Sequence, residues 1–406
     1  MAKKIISAID VGTTKVATIV AIAKAEDDIE ILGVGIAPSR GLHKGIVVNM
    51  DEAKESIAES VREAQRVSGI RVDSVYVGVT GRHISSLNNR GVVAIPREDR
   101  LVRPQDLKRV LSAARSVPIP EGKKVLHAIP RYYALDGQEG VKQPVGMHGS
   151  RLDVETHIIT ASITSVQNLV KCIRSIGVDA EDLILEPLAS GEAVLTPEER
   201  EAGVIMADIG GGTTDIAVFK RGNIYHTSII PVAGYQVTSD ISIGLGLPFS
   251  IAEKMKKGHG NAMPSPEEVE QTARVGIENG HSASYRELCD IVRARMEELL
   301  QLILLEMPTT DYQTLAPCGL VLTGGTANLP GLDELGREML KMPVRKGQPL
   351  SAGVYGISDV LHNPAYATTL GLVLWQVRGK EGSVFQVKNA GIWGNFVGFV
   401  RKLLRA

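Results

Sequence analysis

The strongest constraint on the fold is the segment 207–219, in which glycines and threonines separate two apolar runs. The apolar flanks predict two buried strands, and the residues between them predict the tight turn of a hairpin. That turn consists of Gly210, Gly211, Gly212, Thr213 and Thr214. Glycine leaves backbone N–H groups open to a bound anion, and the threonine hydroxyls add donors. Asp208 ends the first strand, and a carboxylate beside phosphate-binding amides indicates a cation between them, most simply Mg²⁺ on a phosphate chain.

A second segment near the N-terminus repeats this order of strand, aspartate, small-residue turn and strand. An apolar run over 5–9 leads into Asp10, and the turn that follows contains Gly12, Thr13, Thr14 and Lys15. Lys15 would add a positive charge at the phosphates. One such segment could be an ordinary glycine-rich hairpin, but two predict a duplicated fold with one nucleotide between its halves. The pair resembles the phosphate loops of the actin, Hsp70 and sugar-kinase superfamily, and no G-x-x-x-x-G-K-[ST] segment of a P-loop protein occurs.

Other candidate nucleotide contacts lie further along the chain. An apolar strand over 319–323 runs into a turn that contains Gly324, Gly325 and Thr326. The backbone can approach a flat ligand closely at such a turn. Glu186 stands ahead of the second hairpin, where it could orient a water for attack on a phosphate, although a charge that stabilises a helix N-terminus explains it equally well. Glu253 and Lys256 share one face of a predicted helix over 248–257, where the simpler explanation is a surface ion pair.

Composition and charge exclude several classes of protein. The 45 basic and 46 acidic residues balance, so we expect no nucleic-acid partner. The three cysteines are far apart and lack metal-ligand spacing, which favours a reducing compartment and inert thiols. We expect no signal peptide, and no apolar run reaches the roughly 18 residues that a membrane-spanning helix needs.

Several short segments together resemble the FtsA family, the bacterial cell-division homologues of actin, over essentially the whole chain. They are 10–15, 81–84, 126–130, 136–138, 146–147, 151–152, 182–190, 343–345 and 363–368. The resemblance implies an α/β protein with the actin-like ATPase fold, in which two ribonuclease-H-like halves are duplicated and a subdomain 1C is inserted. The implied units are 1A (1–82, 163–200 and 345–375), 1C (83–162), 2A with 2B (201–344), a linker (376–390) and a terminal helix (391–406).

The resemblance also implies a function in cell division. Members of the family bind ATP with Mg²⁺ and polymerise on the cytoplasmic face of the membrane at the division septum. There they tether the tubulin-like FtsZ and recruit later division proteins. Residues 83–162 are expected to form a separate lobe that serves self-association and recruitment. Hydrolysis of ATP is expected to be slow if it occurs, because only one carboxylate is a candidate for it.

Individual roles follow from the same resemblance. Asp10 and Asp208 would flank Mg²⁺, mostly through water, and Glu186 would be the residue linked to hydrolysis. The ribose or base would contact Glu253 and Lys256, and the Gly324 turn would line the adenosine.

The chain departs from the family in the helix predicted over 286–306. The residues usually written E-P-R-Y in this helix are replaced by a segment that begins with Arg293 and includes Arg295. Because the helix carries the contact with the FtsZ tail, the pair would offer extra positive charge to that acidic partner.

The C-terminal segment 391–406 predicts an amphipathic helix at a membrane surface. At about 100° per residue, one arc of the helix collects the apolar side chains. They are Ile392, Trp393, Phe396, Val397, Phe399, Val400, Leu403 and Leu404. Basic residues occupy the opposite arc, which is typical of a helix that lies in the interface of anionic lipid. The alternative is a terminal helix packed on the body of the protein.

Other members of the superfamily remain as alternatives. A sugar or acetate kinase would need an acceptor pocket with an aspartate base, and none is evident. An Hsp70-type chaperone would need a peptide-binding domain after the ATPase, for which too few residues remain. A PilM-like actin homologue of pilus assembly is the main alternative, and the apolar C-terminal helix argues against it.

Overall fold

The computed structural model describes residues 4–25, 28–276, 282–350, 353–356 and 362–378. Its strands are β1 (Lys4–Val11), β2 (Lys15–Ala25), β3 (Asp28–Pro38), β4 (Leu42–His43), β5 (Ile46–Val47), β6 (Ser74–Val79), β7 (Ser85–Ala94), β8 (Lys123–Leu135), β9 (Gln138–Val141), β10 (Arg151–Ser162), β11 (Asp179–Leu185), β12 (Val204–Ile209), β13 (Thr214–Lys220), β14 (Asn223–Ile230), β15 (Arg274–Gly276), β16 (Ser282–Ser284), β17 (Leu320–Thr323), β18 (Val344–Lys346) and β19 (Val354–Tyr355).

The helices separate these strands along the chain. They are α1 (Met50–Ser68), α2 (Pro104–Arg115), α3 (Ile163–Arg174), α4 (Glu186–Val194), α5 (Pro197–Ala202), α6 (Gly234–Gly244), α7 (Phe249–His259), α8 (Pro266–Gln271), α9 (Tyr285–Leu305), α10 (Tyr312–Leu315), α11 (Leu332–Leu340) and α12 (Ala367–Val377), with 3₁₀ turns at Gly325–Asn328 and Pro364–Tyr366. None of the helices in these ranges is long and apolar enough to cross a membrane. The segment 391–406 lies outside the described residues.

Two mixed sheets repeat one topology. The first sheet has the strand order β11-β6-β1-β2-β3-β19, and the second has the order β14-β13-β12-β17-β18. In each sheet an antiparallel hairpin, β1–β2 or β12–β13, is followed by a third antiparallel strand, and the first strand of the hairpin also pairs in parallel with a later strand. The predicted α/β fold with duplicated halves is therefore confirmed.

The local signals in the sequence explain the first long helix. The side chain of Asn49 caps α1 by accepting hydrogen bonds from the backbone N–H groups of Asp51 and Glu52. Gly69 ends the helix in the left-handed conformation, with φ at 68°. The buried stripe that includes Ile57 and Val61 packs against β2 and β3. The expected helix over residues 50–68 is confirmed.

Each sheet has an apolar core, and two helices lie beside the first of them. Ile9, Ile19 and Leu370 belong to the core of the first sheet, whereas Ile205 and Leu300 belong to that of the second. Helices α4 and α12 pack against each other, and every residue of α4 is buried. α12 also packs against β1 and β2. The two helices thereby bring hydroxyl groups to the ends of the strands that carry the predicted phosphate hairpins.

The inserted segment forms a four-stranded sheet, β7-β10-β8-β9, covered by α2. A small core that includes Val110 and Leu152 holds this unit together. However, Leu126 and Ile159 at the inner ends of its strands belong to the core of the first sheet. The prediction of a separate lobe is therefore correct only for the outer part of the insert, because its two long strands continue into the main body.

The insert also contacts the second half of the chain through strand β14. The buried ring of His157 contacts Asn88 Oδ1 through Nδ1 at 2.7 Å and Thr227 Oγ1 through Nε2 at 2.9 Å. Ser86 Oγ donates to the carbonyl oxygen of Thr227 at 2.8 Å. The guanidinium of Arg131 lies 3.9 Å from the ring centroid of Tyr225. These polar contacts join the insert to both halves.

Candidate nucleotide-binding site

The turns of the two predicted phosphate hairpins face each other directly. A Cβ atom added to Gly212 would lie 2.5 Å from Thr13 Oγ1. One added to Gly211 would lie 2.9 Å from Thr14 Oγ1 and closer still to Cγ2 of the same residue. Only glycine fits at these two positions while the turns are in contact. The structure thus brings together two motifs that are far apart in sequence.

Four carboxyl groups cluster beneath these turns. They belong to Asp10, Glu186, Asp208 and Asp215, and all four residues are buried. Burial raises the pKa of Asp10 to about 6 and that of Asp215 to about 7, and the nearby carboxylate of Asp208 raises both further. Burial also raises the pKa of Asp208 and of Glu186. Such a site favours a cation that compensates the negative charge.

The sequence analysis did not identify Asp215 as a site residue. It lies directly opposite Asp208 across the β12–β13 hairpin. Thr80 donates a hydrogen bond to its carboxylate from the end of β6, and Thr213 Oγ1 donates another at 3.1 Å. The signal that could have found it is the pairing of two aspartates across a predicted turn.

Hydroxyl groups on α4 and α12 orient the two predicted metal-binding carboxylates. Ser190 Oγ donates to Asp208 Oδ2 at 2.5 Å, and Thr368 Oγ1 donates to the same oxygen at 2.9 Å. Thr369 Oγ1 donates to Asp10 Oδ2 at 3.4 Å. The segments 182–190 and 363–368 carried the family resemblance without an assigned role, and the structure places their hydroxyl groups around the carboxylates.

Lys15 provides a positive charge within this cluster. Its ammonium group donates to the carbonyl oxygen of Ala365 and lies 3.7 Å from the ring centroid of Tyr366. Burial lowers the pKa of Lys15, whereas the carboxylates of Asp10 and Asp208 act in the opposite direction. The position agrees with the expectation that Lys15 stands beside bound phosphate.

Glu186 is the first residue of α4, directly after β11. Its side chain packs against Gly78 of β6, where an added Cβ would lie 3.1 Å from Glu186 Cγ. The carboxylates of Asp10, Asp215 and Asp208 add to the burial that raises its pKa. Both explanations from sequence therefore remain compatible with its position, because the residue begins a helix and also faces the cluster.

The remaining predicted contacts converge beside the second turn. Thr326 Oγ1 donates to the carbonyl oxygen of Gly210 at 2.8 Å. The ammonium group of Lys256 donates to Gly234 O at 2.9 Å and pairs with Glu253 Oε2 at 2.6 Å. Because the Lys256 side chain is only 12% exposed, this pair is not an ordinary surface ion pair.

Gly324 brings a third turn against the second half's aspartate. Its φ is 85°, and an added Cβ would lie 2.6 Å from Ile209 O and closer still to Asp208 Oδ1. Gly325 starts a 3₁₀ turn rather than the expected α-helix. The helix α11 begins only at Leu332, because Pro330 and the left-handed Gly331 interrupt the chain.

Arg293 and Arg295 lie on α9 outside this site, and the structure does not join them into one positive patch. Arg293 pairs with Glu297 at 2.8 Å and with Glu338 of α11 at 3.2 Å. Arg295 pairs with Asp240 of α6 at 2.5 Å and also with Glu298. The expectation of paired positive charge was wrong, because residues two apart on a helix point in different directions. Each guanidinium meets carboxylates on its own side.

The donor set at the turns fits a hard divalent cation such as Mg²⁺. Carboxylate and hydroxyl oxygens are its preferred ligands in proteins, usually together with water and substrate phosphates. Within the described ranges, no group of three or more His, Cys, Asp or Glu side chains is arranged to hold a metal ion directly. The arrangement therefore fits a cation held by few protein ligands.

Solved structures share this architecture. A chain of the PilM–PilN type IV pilus biogenesis complex matches with a TM-score of 0.67 at 17% identity, covering 92% of this chain and 98% of that one. MreB5 of Spiroplasma citri bound to ADP matches with a TM-score of 0.53 at 12% identity, covering 93% and 99%. The duplicated sheets and the facing turns define this chain as an actin-like protein.

Sequence comparisons identify the family within this class. The family model for "Cell division protein FtsA" matches residues 205–371, and the model for the "SHS2 domain inserted in FTSA" matches residues 81–160. FtsA of Pseudomonas aeruginosa is 44% identical over 375 residues, which cover 92% of this chain and 89% of that protein. FtsA of Neisseria meningitidis is 38% identical over 394 residues, covering 96% and 94%. The chain belongs to the FtsA family of cell division proteins. The similarity to PilM shows the fold alone.

Proposed function

We propose that this FtsA-family protein binds Mg-ATP between its two halves. The observation that carries the proposal is the direct contact of two glycine–threonine turns above four buried carboxyl groups. Backbone N–H groups and hydroxyls of both turns would hold the phosphates, with Lys15 beside them. Asp10 and Asp208 would hold Mg²⁺, largely through water, and the bound ion would offset the charge of the phosphates. The similar fold of MreB5, described as bound to ADP, supports a nucleotide at this place.

Glu186 is the residue we assign to ATP hydrolysis. Its buried carboxyl group stands at the edge of the cluster and could orient a water molecule toward the terminal phosphate. The Gly324 turn and the Glu253–Lys256 pair would line the adenosine side. We expect turnover to be slow, because a single carboxyl group supports the role.

The nucleotide would control assembly on the cytoplasmic face of the membrane at the division septum. The terminal helix predicted over 391–406 would lie in anionic lipid. Self-association would produce filaments that tether FtsZ through the region of α9 and recruit later division proteins through the insert. Membership of the FtsA family and the actin-like fold support this part of the proposal.

The test of nucleotide binding replaces Asp208 by asparagine. Asparagine keeps the shape of the side chain and an oxygen that can accept from Ser190 and Thr368, so the fold should survive. Loss of the charge should weaken Mg-ATP binding at least tenfold, or about 1.4 kcal/mol. Isothermal titration calorimetry measures the affinity, and Asp179→Asn is the matched control because that side chain is 66% exposed. Equal affinities in the two variants would show that the site is misplaced.

A further inference from the structure

One buried side chain near the site has no partner. His83 lies in the short link between β6 and β7, where the chain leaves the first sheet for the insert. Both of its ring nitrogens are buried, and neither has a hydrogen-bond partner in the described part of the chain. A neutral imidazole carries one donor and one acceptor, and leaving such groups buried and unpaired costs about 1–3 kcal/mol each. The arrangement therefore calls for a partner that the side chains do not supply.

His83 lines a small cavity together with Glu186. The cavity has a volume of about 10 Å³, and Gly78, Thr80 and Ser165 also line it. Apolar side chains such as Val47 complete the wall. A volume of about 10–15 Å³ is the least that holds the centre of one water molecule. Buried waters usually bond to polar groups that lack other partners, and His83 and Glu186 are such groups here.

The protonation of His83 suits this role. Burial lowers its pKa to about 4, and the charge of Lys123 lowers it further. The ring is then neutral near pH 7, so that one nitrogen accepts a hydrogen bond and the other donates one. Burial and three neighbouring carboxylates raise the pKa of Glu186, which makes a polar contact at its carboxyl group valuable.

We propose that His83 positions Glu186 through one buried water molecule in the cavity that they share. The proposal rests on the role of Glu186 in the proposed function. His83 is a positioning residue, because it reaches the reacting groups only through Glu186. Since His83 also begins the path into the insert, a shift of the insert would move the water and the carboxyl group with it. The geometry thus connects the partner-binding insert to hydrolysis.

The first test is a high-resolution crystal structure of the full chain. We expect one ordered water in the cavity, within hydrogen-bond distance of a ring nitrogen of His83 and of a carboxyl oxygen of Glu186. An empty cavity, or a water that contacts only one of the two side chains, overturns the proposal. This result does not depend on nucleotide binding, so it separates the proposal from the proposed function.

The second test measures ATP hydrolysis by substitution. His83→Phe should lower kcat by about 10- to 100-fold with little change in KM, because misplacement of a reacting group affects the chemical step. His83→Gln keeps a donor and an acceptor and should recover most of the rate. In a Glu186→Gln background, His83→Phe should have no further effect. An equal loss in both backgrounds overturns the proposal. Undiminished hydrolysis in Glu186→Gln alone instead refutes the role of Glu186, and the crystal structure then decides whether the water bridge exists.

Discussion

Replacing Gly211 by alanine would put a methyl group where the two phosphate turns meet. The new Cβ would lie 2.9 Å from Thr14 Oγ1 and 3.1 Å from Thr14 Cβ. Rotation of the threonine about χ1 can move the hydroxyl and methyl groups, but it leaves the contact with Cβ in place. One half of the molecule must therefore shift against the other.

The expected magnitude follows from this overlap. Extra methyl groups in a packed contact destabilise a protein by about 1–3 kcal/mol. If the halves separate to relieve the overlap, the same free energy is lost from ATP binding, which corresponds to an affinity about 5- to 150-fold lower. Thermal unfolding measures the first effect and calorimetric titration of Mg-ATP measures the second.

Two variants control this experiment. Gly258 in α7 has no atom within 4 Å of an added Cβ and has an ordinary backbone conformation, so Gly258→Ala should be neutral or stabilise by up to about 1 kcal/mol. Thr14→Ala removes Oγ1 and Cγ2 and should restore most of the unfolding temperature that Gly211→Ala loses. The reasoning is refuted if Gly211→Ala behaves like Gly258→Ala, or if Thr14→Ala brings no recovery.

Three further predictions concern other parts of the chain. Burial, with the charges of His226, Arg131 and His127, lowers the pKa of His157 from 6.5 to about 3, so the unfolded chain binds more protons between these values and stability should fall as pH decreases through this range. His157→Gln should reduce that slope by up to about 1.4 kcal/mol per pH unit in urea unfolding at about pH 5 to 7, and an unchanged slope would contradict the cause. Phe396→Glu with Phe399→Glu should release the protein from anionic vesicles in a flotation assay without loss of ATP binding; equal flotation of variant and parent would refute the tether. Arg293→Glu should weaken co-pelleting with FtsZ more at low salt than at high salt, and Arg293 is the better target because Arg295 holds α9 to Asp240 of α6; no change at low salt would exclude the contact.

Much of the fold could be predicted because its signals are local. The helix 50–68 is bounded by Asn49 and Gly69, and the two hairpins follow from apolar strands on either side of small-residue turns. Two copies of one motif also predicted the duplication, since each copy needs a similar sheet to support it. These features depend on neighbouring residues and on periodicity, which a single sequence displays.

Contacts between distant segments could not be predicted in this way. Asp215 enters the site through the register of its hairpin, and Ser190 and Thr368 enter it through the packing of α4 on α12. The expectation for Arg293 and Arg295 was wrong for the same reason, because their partners lie on other helices.

The sequence by itself therefore determined the class of fold, the phosphate turns and the residue types at the site. Tertiary structure alone decided that the two turns touch, that four carboxyl groups share one buried space, and that His83 faces Glu186 across a small cavity. The physical reason is that turn and strand preferences act over a few residues. Burial, charge and hydrogen bonding at the site depend on which distant segments pack together.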